Sequence, residues 1–544
     1  MIPEIIPTSG DGVLEDGSSY NYSVKDRERG LLDYRENSDA WQYDVNYADM
    51  PGAFKQTVES LAAIERTLGH RIHDDQRADY LTAWRYVHTP GNAFLTYCAR
   101  LIFDYHALDR ELIQATLLGM IRARYSMPSS ALLHFDNTGP SGAGKNDLVS
   151  RIAALIPASY VKLYSTVSPT ALQYETIERI KDDKGRVIDV KVNKDAFNGS
   201  IIIITEVADA AGFSALKALA ETDESAEYIH MATVNGQSIK MTIRGSRCVI
   251  ITSVEGVNDE QVKRRFIHGS VSEDTQENKE AKLRLIKRLQ RERKDIRDDP
   301  RLKIARAGID LIFSTDNAPF QMTGYEAQEL IDELADLFNG AGYGITNIKQ
   351  FNTLCECIAL WKRFSRGETR IEVEDVQEAW FLLATFERET ITRTSRQGIA
   401  TLRAIKALCD DYDEAFELNS AGLHEPKRPT RREVVKESKV SQAHVYRLLR
   451  NRQDDQGKLG ELIELGYVRD CESNDQAAVE LTNLGLTVLE DVPDFALVNA
   501  YEYKPIEPIE SDDTTEIPLV SLNEILEKVN KQSEGDKVDS HDSH

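Results

Sequence analysis

A chain of 544 residues is long enough for about three to four domains of ordinary size, and an apolar fraction of 41% allows large buried cores. Its formal charge of −24 excludes a protein coated in positive charge for nucleic acid, but leaves room for a local basic site. No apolar run reaches the roughly 18 residues of a membrane span. The N-terminal stretch Met-Ile-Pro-Glu-Ile-Ile-Pro lacks the basic patch and apolar core of a signal peptide. The expectation is therefore a cytoplasmic protein with no membrane partner. The six scattered cysteines suit a reducing compartment, and the close pair Cys355 and Cys357 reads as small residues in an apolar helix.

In chain order, residues 1–52 are rich in Gly, Ser, Asp and Tyr with little periodicity, and read as a flexible N-terminal arm. Residues 53–128 show apolar spacing of three and four, which predicts a small helical domain. Residues 129–270 switch period. Short apolar runs at 131–135, 160–163, 201–204 and 249–252 alternate with helical segments and predict an α/β core with a parallel sheet. The four isoleucines Ile201, Ile202, Ile203 and Ile204 suit a strand buried on both faces. Two hairpins are expected inside this core. One spans 181–192 around Asp183-Lys184-Gly185, and one spans 227–244 around Asn235-Gly236, which favours a two-residue turn. Residues 271–395 return to helical spacing, with a basic helix at 282–297 that reads as a solvated connector. Residues 396–492 form a further compact unit, and 493–544 read as an acidic tail in which 519–529 has the pattern of a short docking helix.

The chemistry-bearing segment is Gly139-Pro140-Ser141-Gly142-Ala143-Gly144-Lys145, between a predicted strand and a predicted helix. This is a phosphate-binding loop. Gly139, Ser141, Gly142, Ala143 and Gly144 let backbone N–H groups wrap phosphates, and the helix N-terminus adds its positive end. Lys145 reaches the outer phosphates. The following Asn146 and Asp147 complete the candidate nucleotide-contacting set. Asn146 stands where a Ser or Thr hydroxyl would hold Mg2+, and its amide oxygen can serve a hard cation. Glu206, at the end of the 201–204 strand, is the candidate that polarises the attacking water. Thr205 precedes it where a metal-ordering Asp is usual. Thr252, ending the last of these strands, is the candidate polar sensor. Arg265, then Arg264, are the candidates to reach a neighbouring subunit's nucleotide.

This order of loop, acidic strand, polar strand end, Arg-Arg-Phe and helical lid resembles the AAA+ ATPases. The hairpin before the sensor strand narrows the resemblance to the clade of superfamily 3 helicases and minichromosome maintenance proteins. The wording Gly-Pro-Ser-Gly-Ala-Gly-Lys-Asn looks most like helicase-type ATPases of phages, plasmids and primase–helicase fusions. The resemblance covers residues 130–390. It implies an ATP- and Mg2+-dependent homo-hexameric ring that translocates on single-stranded DNA, with Lys240 and Gln237 of the hairpin gripping the backbone in the pore. The lid's nucleotide-sensing arginine has no counterpart here beyond Lys349.

Farther along, 430–438 and 441–452 read as two helices joined by a turn and followed by a two-stranded hairpin. This resembles a winged-helix domain. Arg431, Arg432, Arg447 and Arg450 would neutralise duplex phosphates, and a protein-docking role is the alternative. Three functional readings follow: a DNA helicase or translocase serving replication of a mobile element or virus, an ATP-switched initiator or loader on duplex DNA, and an AAA+ remodeller of protein or transcription complexes.

Overall fold

The computed structural model describes residues 9–490 and 519–526 apart from short stretches, among them 140–143, 167–174, 206–209, 222–227, 254–261, 315–322, 337–343 and 451–459. The N-terminal segment is the first departure from expectation. In place of a flexible arm it forms an antiparallel sheet of β1 (Ser9–Val13), β2 (Ser19–Asp26), β3 (Leu31–Glu36) and β4 (Gln42–Asn46), paired in that order. Alternate residues of a strand share a face, so Tyr20 and Tyr22 point together with Leu32 and Tyr34 of the neighbouring strand. All four are buried over Phe54, with the Tyr34 and Phe54 rings 4.8 Å apart edge to face. The Gly and Ser content hid this period-two aromatic pattern.

Helices α1 (Gly52–Leu68), α2 (Arg77–His88), α3 (Ala93–Phe103) and α4 (Arg110–Met120) follow. Next comes β5 (Phe135–Thr138), shifted toward the glycine loop from the predicted strand. Helix α4 lies directly on it. A Cβ at Gly119 would stand 2.5 Å from the Phe135 ring, so only glycine permits that approach. The chain continues through α5 (Lys145–Leu155), β6 (Val161–Tyr164), β7 (Ile177–Lys181), β8 (Val187–Val192), β9 (Ser200–Ile204), α6 (Ala210–Leu219), β10 (Tyr228–Val234), β11 (Gln237–Ile243), β12 (Arg247–Ser253) and β13 (Ile267–Ser270).

Five of these strands make one sheet in the order β13-β5-β12-β9-β6, and every pairing is parallel. Strand β13 went unpredicted because Ile-His-Gly-Ser has neither a β-branched run nor alternation. The four isoleucines divide as a doubly covered strand requires. Ile201 and Ile203 enter one core, while Ile202 and Ile204 enter the other. Full burial of each contributes about 2 kcal/mol. Hairpins β7–β8 and β10–β11 form where expected, as separate two-stranded ribbons.

Beyond the sheet come α7 (Gln276–Glu292), α8 (Arg301–Ser314), α9 (Tyr325–Asp336), α10 (Gly344–Arg366) and α11 (Val373–Ile391). Here the expected domain boundaries fail. Residues of α1–α4, the Ile201 face of the sheet, α8, α10 and α11 belong to one continuous core, so 53–128 and 271–395 are not units separate from 129–270. The Trp361 indole N–H, donating to the Leu118 carbonyl at 3.3 Å, is one tie across the former boundary. Cys355 and Cys357 are buried within α10, and burial pushes both thiols up. Among the described residues no helix is long and apolar enough to cross a membrane.

The last unit has its own core, with Leu402, Ile405, Val434, Val445, Leu448 and Val479 at its centre. It contains α12 (Arg396–Asp411), β14 (Phe416–Leu418), β15 (His424–Pro426), α13 (Arg431–Ser438), α14 (Gln442–Leu448), α15 (Glu461–Glu464), β16 (Val468–Ser473), β17 (Gln476–Leu481) and α16 (Asn483–Glu490). Thr430 and Glu433 close a reciprocal capping box at the start of α13. Part of the 519–529 segment of the tail packs onto the rest of the molecule. Leu522 and Ile525 are buried in the main core, and the Val520 backbone bonds Arg85 and Thr89 of the N-terminal layer at 3.0 and 3.2 Å.

Candidate nucleotide site

The loop begins at Gly139 with φ +147° and reaches α5 through Gly144 with φ +99°, both in territory that favours glycine. Pro140, Ser141, Gly142 and Ala143 lie outside the described residues. Lys145 opens α5. Its side chain is turned back on the loop and buried, with Nζ donating to the Gly139 carbonyl at 2.5 Å. Burial lowers the pKa of this ammonium; Asp136 opposes the shift and the Arg447 guanidinium adds to it. The first amides of α5 lack intrahelical partners and give the loop an anion-binding end.

Thr252 joins three elements. Its hydroxyl lies 2.7 Å from Asn146 Oδ1 and 2.6 Å from the Thr205 carbonyl. One hydroxyl has one proton. Both contacts are satisfied if Thr252 donates to Thr205 and accepts from the Asn146 amide in its flipped orientation. Register agrees: Ile251 pairs with Ile204, and Thr252 pairs with Asn137. The strand of the predicted sensor therefore lies between the loop strand and the strand leading to Glu206, with Asn146, Thr205 and Thr252 converging at their ends. Glu206 itself is outside the described residues.

Two polar groups on β5 carried no sequence signal. Asp136, fully buried, accepts from the Ser253 hydroxyl at 2.7 Å and faces His268 Nδ1 at 3.2 Å. Asn137 is buried, and neither of its side-chain polar atoms is hydrogen-bonded among the described residues.

His106, in the connection between α3 and α4, also went unpredicted. Its Nε2 lies 2.8 Å from Asp109 Oδ2 and its Nδ1 lies 3.3 Å from Asp147 Oδ2. Burial opposes charge on the ring, but the two carboxylates outweigh it and hold the imidazole pKa above its ordinary value. Asp147 also pairs with Arg151 at 2.8 Å, and despite burial its carboxyl is held below the usual range by His106 and Arg151. Its carboxylate is engaged by His106 and Arg151 as part of the loop's support.

The two candidate finger arginines part company. Arg265 donates to the Lys217 carbonyl at 2.5 Å and pairs with Glu221 at 3.3 Å. Together with Arg247, which bonds the Ala218 and Leu219 carbonyls, it caps the C-terminus of α6, where cations are favoured. That occupies the first-choice arginine within its own chain. Arg264 is exposed.

In hairpin β10–β11 Val234 pairs with Gln237, leaving Asn235 and Gly236 as the two connecting residues, and Lys240 pairs with Met231 on the returning strand. The side chains of Gln237 and Lys240 lie outside the description. In the C-terminal unit the four candidate arginines do not form one exposed set. Arg431 is bound to Asp470 of β16 at 2.5 Å, fastening the first helix to the hairpin. Arg432 is exposed, whereas Arg447 and Arg450 are half-buried. His444 of α14 is buried beside Arg447 at 2.9 Å; burial and the guanidinium together push its pKa down to about 4.

Residues 102–312 match the family described as the MTBMA_p00010 P-loop domain. The match starts within α3 and ends within α8, so it takes in the His106 segment and α4 as well as the sheet. The chain is also 20% identical over 380 residues to an uncharacterized protein of Methanothermobacter marburgensis, an alignment covering 65% of this chain and 42% of that relative. The chain thus spans less than half the length of the curated relative it matches. Loop, sheet and family match together support a P-loop domain over this region, a fold suited to nucleotide binding.

Proposed function

We propose that the protein is an ATP-dependent motor of the AAA+ helicase or translocase kind, assembling as a homo-hexamer and moving on DNA during replication of a mobile element or virus. The observation that carries this reading is the Thr252 junction. One hydroxyl in contact with the loop helix and with the end of the Glu206 strand can report the state of the phosphates to the element that polarises water. Lys145 leaves the Gly139 carbonyl to bind the outer phosphates of ATP. Glu206 orients water for attack on the terminal phosphoryl group. Asn146 would hold Mg2+ through its neutral amide oxygen, and the ion would supply neutralisation of phosphate charge. Arg264, exposed where Arg265 is engaged, reaches the neighbouring subunit's nucleotide. Lys240 and Gln237 on the hairpin contact single-stranded DNA. Arg432, with Arg447 and Arg450, contacts duplex phosphates from a winged-helix-like unit.

The test is a strand-displacement assay on wild type and Glu206→Gln with ATP turnover measured in parallel. Unwinding and DNA-stimulated hydrolysis by the wild type, both lost in the variant, support the motor. Hydrolysis indifferent to DNA favours a remodeller of proteins.

A second reading has a specific motive. Neither Asn146 nor Thr205 brings a carboxylate to the metal corner, which favours slow turnover and hence an ATP-switched initiator or loader. Sequence-specific duplex binding without unwinding would select it.

A further inference from the structure

The imidazole of His106 lies beside Gly144, where the phosphate loop enters α5. A Cβ on Gly144 would stand 3.6 Å from His106 Cε1, so the ring lies against the turn that delivers the chain into α5. Its two nitrogens face two carboxylates from different parts of the chain, Asp109 at the head of α4 and Asp147 in the first turn of α5. A neutral imidazole has one donor and would turn a lone pair toward one of these carboxylates, whereas the imidazolium donates to both. Asp109 adopts φ +69°, a strained backbone for a residue with a Cβ, and its carboxylate is spent on His106 rather than on capping α4. The same segment is anchored on its other side. Asp104 pairs with Arg301 at 2.7 Å and its carbonyl accepts from Arg288 at 2.6 Å, while the Tyr105 hydroxyl donates to Asp299 at 2.9 Å. Arg151 lies over the Tyr105 ring and pairs with Asp147, with Asp295 3.9 Å away.

We infer that His106 is a positioning residue for the phosphate site, clamping the first turn of α5 to the anchored 104–109 segment. The clamp presets the first amides of α5 and Lys145 in the geometry that receives phosphate, so less ordering remains to be done when nucleotide binds. This rests on reading the loop as a nucleotide site.

The experiment measures ATP affinity by equilibrium dialysis for wild type, Lys145→Ala, His106→Gln, Asp147→Asn and the His106→Gln/Asp147→Asn double variant, with thermal midpoints alongside. The expected result is a loss of about tenfold in each single clamp variant and no further loss in the double, because both remove the same tie. As pH rises above neutrality, the wild-type affinity should fall more steeply than that of His106→Gln. If His106→Gln does not fold, Asp147→Asn decides, since that carboxylate is half-exposed. Clamp variants that melt earlier yet hold ATP as tightly as wild type would overturn the inference while leaving the phosphate site intact. A wild type that holds no ATP, or a Lys145→Ala variant that holds it equally well, would overturn both.

Discussion

The phosphate loop and the C-terminal unit both presented basic side chains as candidates, and the structure treats the two sets differently. In the sheet domain, Lys145, Asn146, Thr205 and Thr252 come together at adjoining strand ends. In the C-terminal unit, Arg431 serves as an internal fastener, Arg432 faces solvent, and Arg447 lies close enough to Lys145 to add to its lowered pKa. A loop motif fixes where its groups go, because glycines, strand and helix leave few backbone paths. An arginine on a short helix can turn to whichever carbonyl or carboxylate its neighbours offer.

The sharpest way to break this comparison is at the loop. Lys145→Ala should lower ATP affinity by at least ~100-fold, since it removes the ammonium that the loop holds at the Gly139 carbonyl to meet the outer phosphates. Retained binding would remove the contrast altogether. Next in size, Arg264→Ala should cut ATP turnover by ~100-fold or more in the assembled protein while leaving folding intact, as a residue acting on the neighbour's phosphate would. Arg265→Ala should instead cost about 1–3 kcal/mol of stability and lower the thermal midpoint, because the Lys217 carbonyl at the end of α6 and Glu221 lose this contact. The reverse outcome would restore Arg265 as the finger.

The C-terminal pair offers a smaller effect of the same kind. Arg432→Ala should weaken duplex DNA binding several-fold and flatten its salt dependence by about one unit of slope. Arg431→Ala should act mainly through stability, by about 1–3 kcal/mol, read by chemical denaturation. If neither variant changes DNA affinity, the unit is a protein-docking module.

The mildest effect is on pH dependence. His134 is buried and neutral, accepting from the Val249 amide at 3.1 Å on Nδ1 and donating from Nε2 to the Glu221 carbonyl at 3.0 Å; burial pushes its pKa down to about 3. With the folded value depressed, its contribution is present above the unfolded value near 6.5 and is lost as pH falls toward 3. His106 runs the other way: with its pKa raised, its contribution is complete below about 6.5 and is lost as pH rises through the folded value. Denaturation of His106→Gln should therefore show less loss of stability on the alkaline side than wild type, with the acid side unchanged.

The amino-acid sequence by itself determined the features whose physics is local. Glycines at Gly139 and Gly144, the buried strand of four isoleucines and the Thr430 cap each depend on neighbours a few residues away. Tertiary structure alone decided the rest. The Tyr20, Tyr22 and Tyr34 face became a sheet because Phe54 was there to cover it. The helices on both sides of the loop domain fused into one core because one broad apolar face of the sheet needed them all. His106 met Asp147 across forty-one positions of chain, Arg265 met the end of α6 across forty-eight, and no pattern of spacing encodes such encounters. They exist because parallel strands joined by long crossovers bring distant segments to the same sheet end.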